Sequence, residues 1–237
     1  MSERHGLIET IFDTLAPVHA DGHKFIAVGA VATLAFFYVY PPVAWILALI
    51  TAWVIYFFRD PARVSPVKAG LVVSAADGRI SSIEKVRPPA ELGMGPDERT
   101  RISTFLSVFD VHINRAPVAG RISRSVYSPG LFLNAALDKA SEDNERRALV
   151  IEMADGAEVG VVQIAGLVAR RIVTFSEIGD ALNVGQRFGL IRFGSRVDVY
   201  LPVGRHALVS VGQRAIGGET VFADLTSDEP EREVRRD

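Results

Sequence analysis

Gly194 and Ser195 stand between two β-rich runs in the stretch Leu190-Ile191-Arg192-Phe193-Gly194-Ser195-Arg196-Val197-Asp198-Val199-Tyr200-Leu201-Pro202. A backbone can attack itself at such a step. Glycine leaves its carbonyl sterically open and tolerates backbone angles that other residues avoid. The hydroxyl of the following serine lies within reach of that carbonyl, so activation and geometry are the remaining requirements. The same dipeptide is also an ordinary exposed turn, so its surroundings must decide between the two.

Other chemistries fit the residues less well. The spacing Gly189-x4-Gly194 superficially matches a phosphate-binding loop, but the required lysine is missing. Ser195 is not in a G-x-S-x-G elbow, because position 197 is valine. The chain has no cysteine, which removes disulfides, thiolate catalysis and cysteine-based metal sites. A serine-based mechanism becomes the natural covalent option. The five histidines, His5, His19, His23, His112 and His206, show no metal-ligand spacing. His19 and His23 lack an accompanying acidic pattern, so no metal is expected there. A net charge of -2 gives no global basic field, and nucleic acid is not an expected partner.

Four ordered segments carry a resemblance. Phe193-Gly194-Ser195-Arg196-Val197-Asp198, followed by a strand ending in Leu-Pro, resembles the self-cleavage site of the phosphatidylserine decarboxylase family in its shorter form. Phe57-Phe58-Arg59-Asp60-Pro61 is similar to that family's membrane-exit motif, and Ser74-Ala75-Ala76-Asp77-Gly78 to its Asp-Gly segment. Phe109-Asp110-Val111-His112-Ile113-Asn114-Arg115-Ala116-Pro117-Val118-Ala119-Gly120 is similar to its histidine segment. The likeness runs from the first hydrophobic stretch to about Ala223.

The resemblance implies that the Ser195 hydroxyl attacks the Gly194 carbonyl and turns the amide into an ester. Elimination then leaves one chain ending at Gly194, and the former Ser195 becomes a pyruvoyl group. That carbonyl would form a Schiff base with phosphatidylserine and accept electrons as carbon dioxide leaves, giving phosphatidylethanolamine. Neither a metal nor pyridoxal phosphate is implied. The partners implied are phosphatidylserine, the bilayer and the two cleavage chains as a heterodimer. Further assembly into a homo-oligomer is compatible with this.

Within the resemblance, Asp77 matches the relay aspartate. Longer family members carry two histidines three apart, and here those positions are His112 and Arg115. His112 is therefore either the base for self-cleavage or a proton donor in decarboxylation. Arg115 could hold a substrate carboxylate or phosphate through its planar fork of donors. Asp110 is a second, weaker candidate for contact with substrate. A membrane-anchored β domain without catalysis and a membrane serine hydrolase are the competing readings.

These residues need elements to hold them. Phe25 to Tyr40 and Val43 to Phe58 carry no charge, and each is slightly short of the roughly 20 apolar residues of a full crossing. Pro41-Pro42 separates them and favours a hairpin with both ends on one side over a single kinked span. The aromatic residues Tyr38, Tyr40, Trp45, Trp53 and Tyr56 suit an interfacial belt. No small-residue cleavage site follows Phe58, against a signal peptide. Arg59, Arg63 and Lys68 follow instead and predict a cell-membrane protein with its catalytic domain on the cytoplasmic side. Leu7, Ile8, Ile11, Phe12 and Leu15 recur with helical spacing and predict an amphipathic helix.

After Pro66 the pattern changes to short alternating runs. Strands are predicted over 71–74, 78–83, 101–106, 120–126, 148–153, 158–164, 171–175, 196–201, 209–215 and 220–223. The fold expected is α+β and mainly β: a sandwich or barrel resembling the biotinyl-type hybrid motif, behind N-terminal membrane helices. The expected divisions are a membrane segment over 1–65, a catalytic domain over 66–225 and a charged flexible tail over 226–237. Pro88 to Glu98 is read as a loop that could move over the site. Lys139 to Arg147 is read as a loop or short helix.

Overall fold

The computed structural model describes residues 16–130, 144–166, 171–192, 194–227 and 235. The amphipathic segment from Leu7 to Leu15 and most of the charged tail lie outside the described residues. The chain divides into two compact units, 1–62 and 63–237.

Proline decides where the second helix begins. Helix α1 is Ala20–Val39 and helix α2 is Pro41–Phe57, joined at Tyr40. Proline suits a first helical turn because its missing N–H would be unpaired there anyway. At the other end, His19 caps α1 by accepting the Asp21 N–H at Nδ1 over 3.3 Å. The two helices form a hairpin. Gly29 lets α1 approach Thr51, whose hydroxyl a β-carbon at position 29 would meet at 2.4 Å. Near the Tyr40 turn, Phe37 and Trp45 pack edge to face at 5.6 Å. At the open end, the His19 N–H donates to the Phe58 carbonyl at 2.8 Å and the Asp60 N–H to the Pro17 carbonyl at 2.7 Å. The chain thus enters and leaves at one end. By length and composition α1 can cross a membrane, whereas α2 is shorter at 17 residues. Val28, Val31, Leu34 and Leu49 are all exposed, an apolar surface that water would not stabilise.

The second unit is β-rich. Its strands are β1 Leu71–Val73, β2 Gly78–Val86, β3 Arg99–Leu106, β4 Ile113–Arg115, β5 Gly120–Ser128, β6 Arg146–Glu152, β7 Glu158–Ala165, β8 Ile172–Thr174, β9 Ala181–Leu182, β10 Arg187–Ile191, β11 Ser195–Tyr200, β12 Arg214–Ala215 and β13 Val221–Asp224. Eight of them pair in the order β12-β2-β3-β11-β7-β6-β5-β9. A three-stranded sheet runs β4-β10-β8, and β1 pairs with β13. Among the described residues the fold is mainly β with two N-terminal helices, in the class expected.

Period-two alternation sets the two faces of the large sheet. Val197 and Val199 of β11 join the main core with Ile102, Leu106, Val159, Val161 and Phe188. Tyr200 faces a second core built from Leu92, Met94, Ala148, Val150, Val162 and Ile164. Leu92 and Met94 belong to the segment expected to be a mobile loop. It is pinned: a 3₁₀ turn at Ala90–Leu92 buries Leu92, and Arg146 Nε donates to Glu91 at 3.0 Å. Burial pushes the Glu91 pKa up, but the hydrogen bond and charge of Arg146, with backbone and Ser128 hydrogen bonds, together hold the carboxyl below its ordinary value.

Strands β4, β9 and β10 were not expected. Buried Asn114 and Arg115 disguise β4, Gly189 interrupts β10, and β9 has only two residues. The strand expected over 209–215 is turn except for β12. Of the segment expected as a loop or helix, Arg146 and Arg147 already belong to β6. Its residues 139–143 lie outside the described residues.

Candidate active site

Ser195 is the first residue of β11, which is hydrogen-bonded on both sides, to β3 and to β7. Its partners across the sheet are Leu106 and Ala165. The exposed turn is therefore not what forms: Ser195 is fully buried. Among the described residues its hydroxyl has no hydrogen-bond partner. A buried hydroxyl without a partner carries an uncompensated desolvation cost, which a structural serine would avoid.

Gly194 immediately precedes it with φ +62°, the left-handed region that favours glycine. A β-carbon there would meet nothing within 4 Å, so the requirement is conformational rather than steric. The Gly194 carbonyl accepts the Gly166 N–H at 3.1 Å. The Gly194 N–H donates to His112 Nε2 at 3.2 Å.

His112 leads into β4 and is buried. Its Nδ1 lies 2.9 Å from the Asp110 carbonyl oxygen, which can only accept. Nδ1 therefore carries the proton, and Nε2 presents a lone pair to Gly194. The backbone locks this arrangement from below, since the His112 carbonyl accepts the Ile191 N–H at 3.3 Å. Asp110 contributes through its backbone. Its carboxylate is taken up by the Ser107 N–H at 2.9 Å, the Ser107 hydroxyl at 2.7 Å and Arg214 at 3.0 Å. These contacts shape the turn before His112.

Asp77 and Arg115 meet at a different turn. One Asp77 oxygen accepts the Gly217 N–H at 2.8 Å, and the other pairs with Arg63 at 2.6 Å. The Arg115 guanidinium donates to the Gly185 carbonyl at 3.0 Å, and its N–H to the Ala75 carbonyl at 2.9 Å. A β-carbon on Gly218 would meet Arg115 Cδ at 3.1 Å. Arg115 lines a cavity of about 520 Å³ with Arg63, Ser65 and Arg187 among its other walls. Three guanidinium groups make that lining cationic. His112 and Arg115 thus bracket β4 at opposite ends.

Two functional candidates were not visible in the sequence. Gln163 Nε2 donates to Asn114 Oδ1 at 2.7 Å, and both residues are fully buried. Asn114 Nδ2 and Gln163 Oε1 have no hydrogen-bond partner among the described residues. Gln163 pairs with Val197 one rung pair from Ser195, and so shares its sheet face. A glutamine in the apolar run Val159 to Ala165 was the available signal. Arg63 was read only as a topology charge, and its pairing with Asp77 depends on a contact no local pattern shows. Among the described residues, no group of three His, Cys, Asp or Glu side chains could hold a metal ion.

Comparison with known proteins agrees with this geometry. The sequence profile described as phosphatidylserine decarboxylase matches residues 50–223. The chain is 56% identical over 225 residues to the phosphatidylserine decarboxylase proenzyme of Cereibacter sphaeroides, covering 95% of this chain and 97% of that one. It is 59% identical over 211 residues to the phosphatidylserine decarboxylase proenzyme of Ruegeria pomeroyi, covering 89% and 96%.

Proposed function

The chain belongs to the phosphatidylserine decarboxylase family, and from that premise we propose how it works: it cuts itself between Gly194 and Ser195, then decarboxylates phosphatidylserine to phosphatidylethanolamine. One observation carries the reading. A buried serine hydroxyl without a partner follows a left-handed glycine whose N–H points at the lone pair of His112.

His112 is the base in this proposal. Neutral at Nε2 and fixed through Nδ1, it can take the Ser195 proton as the hydroxyl turns on the Gly194 carbonyl, the division of labour seen in serine triads. Asp77 supports the site by position, holding the 216–218 turn and Arg63. Arg115, in its cationic cavity, is assigned to an anionic group of the substrate.

The residues present suit a pyruvoyl group at position 195. The site is buried, and the strand that would begin with it is held on both edges. Once formed, that carbonyl supplies the electron sink for loss of carbon dioxide. The small chain from 195 onward would contribute β11, β12 and β13, each paired with a strand of the large chain. The two products would therefore stay together as a heterodimer. The helical hairpin anchors the enzyme in the bilayer. The basic residues Arg59, Arg63 and Lys68 after the hairpin support a cytoplasmic catalytic unit in this reading.

The test is release of labelled carbon dioxide from carboxyl-labelled phosphatidylserine in mixed vesicles. Wild type should release it and Ser195→Ala should not. Equal release by both would reject Ser195 as the source of the reactive group.

A further inference from the structure

We propose that the backbone N–H of Gly166 is the oxyanion donor for self-cleavage. This rests on the reading of Gly194-Ser195 as the cut bond. The Gly166 N–H lies 3.1 Å from the Gly194 carbonyl oxygen. That oxygen is where negative charge develops. The Ser195 Oγ lone pair forms a bond to the Gly194 carbonyl carbon, closing a five-membered ring. The π pair of the carbonyl moves onto its oxygen, and the Oγ proton passes to His112 Nε2. When the oxygen reforms its double bond, the C–N bond breaks, and the Ser195 nitrogen takes the proton back as an amine. The product is the ester, with every proton and electron pair placed.

The donor is preorganised. Ala165 ends β7 opposite Ser195, and Gly166 is the next residue along that strand's path. Its neighbour is held as well, since the Ala165 N–H donates to the Glu145 carbonyl at 2.9 Å. The donor thus needs no reorganisation when charge appears. Its distance is on the long side for a neutral N–H···O bond, and bonds to an ionised oxygen run shorter and about twice as strong. It therefore favours the tetrahedral state over the ground state, which is the condition for catalysis. The attacking Ser195 is itself fully buried, whereas Gly194 is half-buried. A buried oxyanion with no donor would be prohibitive.

The test replaces the Gly166 amide with an ester in the full chain, by incorporating glycolic acid at that position. This deletes the N–H and keeps every side chain, while the Ala165 carbonyl, which accepts Asn144 Nδ2 at 2.7 Å, becomes a weaker ester acceptor. An ester at Ala165 is the control, since it also removes one backbone hydrogen bond, but one made to Glu145. Cleavage of the Gly166 ester should slow by about 10²–10³-fold, the usual loss for one oxyanion donor. The Ala165 ester should cut within severalfold of wild type. Equal rates for the two esters overturn the proposal. If wild type cuts and Ser195→Ala does not, the self-cleavage reading survives that failure. A second measurement needs no altered backbone: in uncut Ser195→Ala, the Gly166 N–H should resist hydrogen exchange. Exchange at the rate of an open amide would equally overturn the assignment.

Discussion

The N–H of Gly194 points at Nε2 of His112 across 3.2 Å, with Nδ1 of the same ring held by the Asp110 carbonyl at 2.9 Å. The ring is thus fixed in one neutral tautomer, with its Nε2 lone pair beside the residue whose peptide bond to Ser195 is proposed to be cut.

His112→Ala should therefore leave the precursor uncut, or slow its cleavage by about 10²–10⁴-fold, the usual range for a general base. A gel time course of precursor synthesised in vitro measures this. Cleavage at the wild-type rate would confine His112 to a later protonation step.

Asp77→Asn should slow cleavage and lower the melting temperature together, because it leaves Arg63 without its buried partner. Breaking such a pair costs about 3–5 kcal/mol. Arg63→Gln should reproduce both effects. Slower cleavage by Asp77→Asn with an unchanged melting temperature and no effect of Arg63→Gln would show that Asp77 acts directly in proton transfer.

Gly194→Ala should fold, since the space beside Gly194 is open. Its cost is the left-handed backbone, about 1–2 kcal/mol for a residue with a β-carbon. Relaxation from that conformation should turn the carbonyl away from Gly166 and slow cleavage about tenfold or more. Melting and cleavage measured on one preparation check this. A variant that cuts as fast as wild type would show that the positive φ is dispensable.

Much of this was legible in the sequence, and the failures are instructive. Alternation marked β11, β7 and β3 because one face of each enters the main core. Pro41 and Pro42 marked the hairpin because proline cannot continue α1. Burial of Ser195 was not legible: Gly-Ser has the composition of a turn, and only pairing on both edges of β11 hides it. Strand β4 was missed because Asn114 and Arg115 are polar yet buried, and their partners Gln163 and Gly185 are distant in sequence. The motifs brought Asp77, His112 and Ser195 forward as one group. Asp77 touches the turn at 216–218, and His112 touches Gly194 beside Ser195.

Lys68 donates to Asp224 at 2.6 Å, and with Thr226 it holds that carboxyl down at about 2. A depressed carboxyl contributes stability above its unfolded pKa of about 3.9. That contribution disappears as the pH falls from about 4 towards 2. Lys68→Met should move the Asp224 titration back up towards the ordinary value, as followed by NMR. Stability at neutral pH should change little, because the pair is screened by solvent. A large loss of stability at pH 7 would mean that Lys68 does more than pair with Asp224.

The apolar faces of α1 and α2 should hold the protein in membranes, and protease added outside right-side-out vesicles should spare residues after Arg59. External digestion of that region would reverse the orientation. Full solubility without detergent would reject anchoring.

In the proposed mechanism this chain makes its own reactive carbonyl from Ser195. Intact-mass spectrometry of the purified protein, with and without a carbonyl-trapping hydrazine, tests it most directly. The expected result is one chain ending at Gly194 and a second chain lighter by one ammonia than a serine-initiated peptide, gaining the trap at its first residue. A single uncut polypeptide that still releases carbon dioxide from phosphatidylserine would contradict it.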